Sequence, residues 1–137
     1  MTDYTLVNLK KDVENSAPKF GMSDELQARF GRTSIEGEKL GVSHFKLAPG
    51  FRIPFGHKHG DQEEVYVLVS GSARVKLDDE IVELKPWDAV RIGTDTMRNV
   101  EAGPEGAEYL AFGAGTDPRD AEMVQNWWPE EGGSDSG

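Results

Sequence analysis

From Gly41 onward the chain is written in short runs of alternating or β-branched residues, each halted within several positions by a turn signal. GVSHFKLA stops at Pro49-Gly50, and EEVYVLVSG alternates before its glycine. SARVKL and EIVEL flank Asp78-Asp79, the pattern of a hairpin. Pro86-Trp87-Asp88 marks a turn before AVRIG, Thr94-Asp95 another before RNVEA, and Gly103-Pro104-Glu105-Gly106 another before AEYLAFGAG. At least six strands with no long helix between them predict an antiparallel sandwich or closed barrel. Sixteen glycines and seven prolines in 137 residues suit that turn-rich design, and the length suits one core. No internal repeat is visible.

The flanks read differently. TLVNL is short and β-like, and the connector DVENSAPKFG contains an Ala-Pro step that disfavours helix. Ser23 is placed to cap a short helix over DELQARF, with Leu26 and Phe30 on one face. After Gly115 the chain turns polar, then carries Trp127-Trp128-Pro129 and a Gly/Ser-rich end expected to be flexible. Two large rings seldom sit on a free tail, so the tryptophans are expected to dock on the barrel or on a neighbouring subunit. The resulting division is an arm with a short helix over 1–40, a barrel over 41–115, and a tail with a Trp-Trp anchor over 116–137.

Charge and composition narrow the function. A formal net charge of −10 with no dense basic cluster argues against a nucleic-acid partner. Without cysteine there is no disulfide or thiolate metal site, so any metal must be held by nitrogen and oxygen. MTDYTLVNLKKD carries no charged-then-apolar leader, and no apolar run approaches a membrane span of about 20 residues. The expectation is a cytoplasmic, soluble protein with no nucleic-acid or membrane partner.

Two of the chain's three histidines stand in His57-Lys58-His59. Residues two apart in an extended segment leave one face, so both imidazoles can enter one cavity. Glu64 opens the next strand, sharing a face with Tyr66 and Leu68. Two imidazoles and a carboxylate on neighbouring strands suit divalent Fe, Mn, Zn, Ni or Cu. Histidines near a carboxylate in a loop are also often mere solvated or hydrogen-bonded surface groups.

The wider spacing resembles the cupin family. The first cupin motif runs Gly, five residues, His-x-His, three or four residues, Glu, six residues, Gly. Here His57-Lys58-His59 is followed by four residues, Glu64, six residues and Gly71. The leading glycine, Gly50, stands one position too far from His57. The segment between the two motifs also resembles the family's, with Pro86-Trp87-Asp88 where Pro-Gly-Asp is usual. The resemblance covers roughly residues 41–113 and implies a double-stranded β-helix (jelly-roll) barrel. With the double tryptophan it also implies a homodimer.

The second motif departs from the family pattern. Where cupins carry a fourth ligand, a histidine, this chain has Arg98, and Ala102 stands in place of asparagine. A guanidinium stays protonated and offers no lone pair to a metal. Three readings stay open. In the first, the chain is a small-molecule-binding cupin, oxygenase-, isomerase- or epimerase-like, in which His57, His59 and Glu64 hold a divalent metal, with Arg98 swung away or contacting an anionic substrate. His44 is a candidate extra ligand there, although Phe45 and Leu47 form the more apolar face of its strand. Alternatively the pocket is metal-free, Arg98 pairs with Glu64 in a bidentate bridge or binds a small anion, and the protein is non-catalytic or regulatory. In the third, the triad is vestigial and the surfaces do the work. Tyr66 is a further candidate for substrate contact. The acidic tip Asp78-Asp79-Glu80 lacks the glycine and distant glutamate of a calcium loop.

Overall fold

The alternation along GVSHFKLA and EEVYVLVSG becomes strand pairing in the computed structural model, which describes residues 2–115 and 120–129. Eight strands form: β1 Leu26–Phe30, β2 Leu40–Leu47, β3 Phe55–His59, β4 Glu63–Leu77, β5 Glu80–Leu84, β6 Ala89–Ile92, β7 Arg98–Ala114 and β8 Ala121–Gln125. The expected hairpin is present, with Leu77 opposite Glu80 and Asp78 at φ 51° in the turn. Trp87 (φ 76°) and Asp95 (φ 66°) mark the two following turns.

Two long strands organise the rest. β4 and β7 pair over most of their length, but each bends once, at Gly71 (φ 80°) and Gly106 (φ 82°). The glycines face each other so closely that a Cβ on Gly71 would lie 2.0 Å from the Gly106 carbonyl oxygen. Only a residue without a side chain fits there. Gly103-Pro104-Glu105-Gly106 is therefore an irregularity between two paired stretches of β7, not the strand-ending turn that its composition predicts.

The bends let each long strand serve two layers. The first halves of β4 and the second half of β7 join β1, β2 and β6 in one layer. The other halves join β5, β3 and β8 in the second. This is the all-β sandwich that the strand pattern predicts, arranged as the double-stranded helix that the family resemblance implies. Leu47, Leu68, Val75 and Ile92 are almost wholly buried between the layers, and Ala73, Leu84 and Val100 continue that core.

The flanks differ from expectation. DELQARF is strand β1, paired with β2 from Leu26–Leu47 to Phe30–Ser43, not a helix capped by Ser23. Cross-strand pairing outweighs the modest local helix preference. Ser23 keeps a local role, its Oγ accepting from the Glu25 N–H at 3.2 Å. Leu26 and Phe30 still share a face, because positions four apart coincide in a strand as well. TLVNL forms no strand. Asn8 instead caps a single helical turn, α1 Leu9–Asp12, by accepting from the Lys10 and Lys11 N–H groups at 3.0 Å each. A 3-10 turn follows over Ala17–Phe20. The segment set aside as an arm thus supplies an edge strand, and the tail supplies another.

Beyond β8 the two tryptophans lie on the chain's own barrel. Trp128 is buried beneath the Arg52 guanidinium, 4.1 Å from its ring centre, and Trp127 lies under Lys76 at 4.4 Å. Gly56 admits this packing, since a Cβ there would meet the Trp127 ring at 2.6 Å. The Gly/Ser-rich end lies outside the described residues. No helix among the described residues is long and apolar enough to cross a membrane.

Candidate functional site

At one end of the sandwich the layers enclose a cavity of about 910 Å³ instead of a packed core. His57 and His59, two apart in β3, both face it. Lys58 points the other way, to Asp95 at 3.1 Å and Glu122 at 3.6 Å. Glu64 approaches from β4 in the opposite layer, so the cluster bridges the two sheets. Its Oε1 lies 3.9 Å from His57 Nε2 and 3.5 Å from His59 Nε2. One ligand atom from each of the three residues falls within 4.8 Å of the others.

Tyr66, two residues along the same face of β4, donates its hydroxyl to Glu64 Oε1 at 3.4 Å. Burial pushes its phenol well above the ordinary range, keeping it a neutral donor.

Arg98 opens β7 directly opposite His57. It is the largest wholly buried side chain described, at 0 % exposure, and forms part of the cavity floor. The expected bidentate bridge to Glu64 does not form: Nε lies 3.7 Å from Glu64 Oε1, an ion-pair distance without a hydrogen bond. Nor is Arg98 swung away. None of its three guanidinium nitrogens makes a hydrogen bond among the described residues. Buried polar groups are nearly always paired, and a buried cation without acceptors is costly. Glu64 is equally loose, its named contacts from His57, His59, Tyr66 and Arg98 all lying between 3.4 and 3.9 Å.

One member of the site is absent from the sequence reading. Asp120, just before β8, holds His59 Nδ1 with Oδ1 at 2.7 Å. The same carboxylate accepts the backbone N–H groups of Asp61 (2.6 Å) and Gln62 (2.9 Å) and the Gln62 amide (3.1 Å). Although burial opposes its charge, these donors hold Asp120 far below the usual carboxylate range. An ionised Asp120 fixes the His59 proton on Nδ1 and aims Nε2 at Glu64. Its only sequence signal is an acidic residue in a polar tail, which any solvated carboxylate would share.

Charges within the cluster are interdependent. Burial, assisted by Arg98 and His59, pushes His57 down to about 4, leaving it neutral at neutral pH with a lone pair to offer. For His59 burial works in the same direction, but Glu64 and Asp120 outweigh it and raise its pKa. Burial would raise Glu64, yet His59 foremost, then Arg98 and His57, hold it below its ordinary value.

His44 does not join them. Its side chain leaves the opposite face of β2, where Nε2 contacts Glu108 at 2.6 Å, while Phe45 lines the cavity. Trp87 is 74 % exposed in its turn, and Glu63 pairs with Arg91 at the surface.

Neither a protein-family model nor a curated protein sequence matches the chain. Its likeness lies in structure. A cupin protein from Bacteroides fragilis superposes with a TM-score of 0.67 at 24 % identity, covering 86 % of this chain and 89 % of that one. A variant of Streptomyces PAC13 solved with uridine gives 0.65 at 14 %, covering 91 % and 92 %. A variant of oxalate decarboxylase from Bacillus subtilis gives 0.69 at 23 %, with 88 % of this chain laid on 33 % of the longer one. The chain has the cupin fold, and the resemblance carried by His57-Lys58-His59, Glu64 and Gly71 holds at that level.

Proposed function

We propose that this chain of cupin fold is a small-molecule-binding protein whose Arg98 seats an anionic group of the ligand. The observation that carries the reading is the guanidinium itself: wholly buried at the floor of a cavity of about 910 Å³, with no hydrogen-bond acceptor on any nitrogen among the described residues. A ligand carboxylate or similar anion supplies acceptors in the paired geometry a guanidinium favours. Arg98 borders the cavity yet is wholly buried, with Glu64 3.7 Å from its Nε, so the anion reaches it when Glu64 turns aside. Glu64 is held by no named contact shorter than 3.4 Å, so a rotamer change breaks no strong bond. Two structural neighbours support the reading: one is named for oxalate and one was solved with uridine, both small polar molecules.

A second reading rests on a different observation, the convergence of His57, His59 and Glu64 within 4.8 Å. Two imidazoles and one carboxylate suit divalent Fe, Mn, Ni, Zn or Cu, and Asp120 behind His59 is the outer partner that such ligands usually have. A bound ion would supply Lewis-acid or oxygen-activating chemistry. Arg98 opposes it by charge, 3.7 Å from the carboxylate that would have to ligate.

Isothermal titration with small carboxylates, before and after Arg98→Gln, tests the first reading; binding that survives unchanged would remove it. Metal content of protein purified without chelator or tag tests the second. Near-stoichiometric metal lost in His59→Ala supports that reading, and less than a tenth of an equivalent after metal-replete expression sinks it. Arg98→His is expected to raise metal affinity, and no gain means the donors do not share a centre. Homodimerisation and a cytoplasmic location, implied by the family resemblance and the composition, belong to the same proposal. Sedimentation velocity showing only a 15 kDa monomer would remove the dimer.

A further inference from the structure

The cavity has two chemically distinct ends. Its floor is the polar cluster around Glu64 and Arg98. From there a chain of aromatic rings leads outward. Tyr66 lies 5.3 Å from Tyr109, and Tyr109 stacks on Phe45 at 4.9 Å. Phe45 meets Phe30 edge-on at 5.7 Å, and Phe30 meets Phe20 at 6.3 Å. All five rings line the same cavity. Their exposure rises steadily toward the mouth, from 4 % and 3 % at Tyr66 and Tyr109 to 47 % and 56 % at Phe30 and Phe20.

A packed core does not look like this. Interiors fill space to near crystal density, whereas these rings border a void within the usual size range of ligand sites. Phenyl rings at an open mouth keep apolar area in water until something covers it. The far wall, with Ile53 and Phe55, is apolar too. Arg32 and Glu36 also border the cavity, but Arg32 already donates to the Gly37 and Gly115 carbonyl oxygens, whereas Arg98 at the floor donates to no acceptor among the described residues. The local balance there also limits the ligand's charge, because Glu64 stands 3.7 Å from Arg98 and the whole chain carries −10.

Resting on the anion reading of Arg98 above, we infer that the ligand is an amphipathic monocarboxylate, with its head on Arg98 and an extended apolar body along the Tyr66–Tyr109–Phe45–Phe30–Phe20 wall. The body fills the void and covers the rings, while the head satisfies the guanidinium. A compact polyanion does neither: it leaves the wall wet and brings surplus charge against Glu64.

Calorimetric titration of the full chain with acetate, butyrate, hexanoate and octanoate reads this directly. Affinity is expected to climb about fourfold per methylene, as for chains moved from water into an apolar channel. Octanol should bind at least tenfold more weakly than octanoate, and octyl phosphate more weakly than octanoate. Phe30→Ser, at a half-exposed ring, should weaken octanoate several-fold more than acetate. Arg98→Gln should erase the difference between octanoate and octanol.

Two failures are distinguishable. If acetate or inorganic phosphate binds in an Arg98-dependent way but chain length adds nothing, the amphipathic ligand is wrong and the anion site stands. If no carboxylate of any length binds, or Arg98→Gln changes none of the affinities, the anion site itself falls.

Discussion

Two buried basic side chains, Arg98 facing the cavity and His44 facing outward from β2, meet carboxylates in opposite ways. On the outside, His44 contacts Glu108 at 2.6 Å, and Lys10 from α1 closes on the same carboxylate at 2.8 Å. The Lys10 contact first, and His44 next, hold Glu108 down at about 2 although burial opposes them. Among the described residues only His44 Nδ1 lacks a partner there. On the inside, Arg98 stands 3.7 Å from Glu64 and leaves all three nitrogens without hydrogen bonds. One cluster is closed and contributes to stability. The other is open, and its cost makes sense when a ligand completes it. Burial and charge pairing alone do not mark a site; unmet hydrogen-bonding capacity beside a cavity does.

Opposite responses to mutation are the strongest test of this contrast. Arg98→Met should lower carboxylate affinity about a hundredfold, the scale of a lost charge-assisted contact, while the melting temperature holds or rises. Replacing a buried, poorly paired ion with an apolar chain is often stabilising by about 1–4 kcal/mol. A sharp fall in melting temperature would make Arg98 structural and collapse the comparison.

His44→Ala should do the reverse. Losing the imidazole and its carboxylate contact should cost about 2 kcal/mol in urea unfolding, with carboxylate affinity unchanged. Weaker binding in that variant would connect the two faces and blur the distinction.

Asp120→Asn probes the supporting layer of the inner cluster. Without the anion on Nδ1, the His59 midpoint in an NMR titration should move down from its raised position. A static midpoint would mean that Glu64 alone sets it. Circular dichroism and near-native melting would confirm that β8 stays in place.

The smallest expected effect concerns acid. Glu108 has a folded pKa of about 2, below the ordinary 4.5. Its contribution is therefore fully present above about pH 4.5 and disappears as the pH falls through the folded value. Glu108→Gln should flatten stability against pH between about 4.5 and 2. An unchanged slope there would show that the outer cluster contributes no net stability.

Much of the fold was legible because strands announce themselves locally. Alternation in EEVYVLVSG and the Asp78-Asp79 turn need no partner to be recognised. DELQARF failed for the complementary reason: its identity as β1 comes from pairing with β2 residues at least thirteen positions away, from Phe30–Ser43 to Leu26–Leu47, and nothing within the segment reports that pairing. The site divided along the same line. His57 and His59 were readable from a spacing of two, and Glu64 from a family spacing. Asp120 was not, since a tail carboxylate gains meaning only when β8 pairs with β3 and brings it to His59. The aromatic wall was equally hidden: its rings come from the 3-10 turn, β1, β2, β4 and β7.

By itself, then, the sequence determined the all-β class, the turns, the projection of both imidazoles from one face of β3, and the presence of a permanent cation at position 98. Each follows from backbone periodicity or side-chain chemistry, properties that a short segment carries with it. Tertiary structure alone decided that the cation lies buried without acceptors, that His44 faces away from it, and that Asp120 and five aromatic rings complete the cavity. Those outcomes depend on which distant strands become neighbours, and burial is a property of the assembled layers.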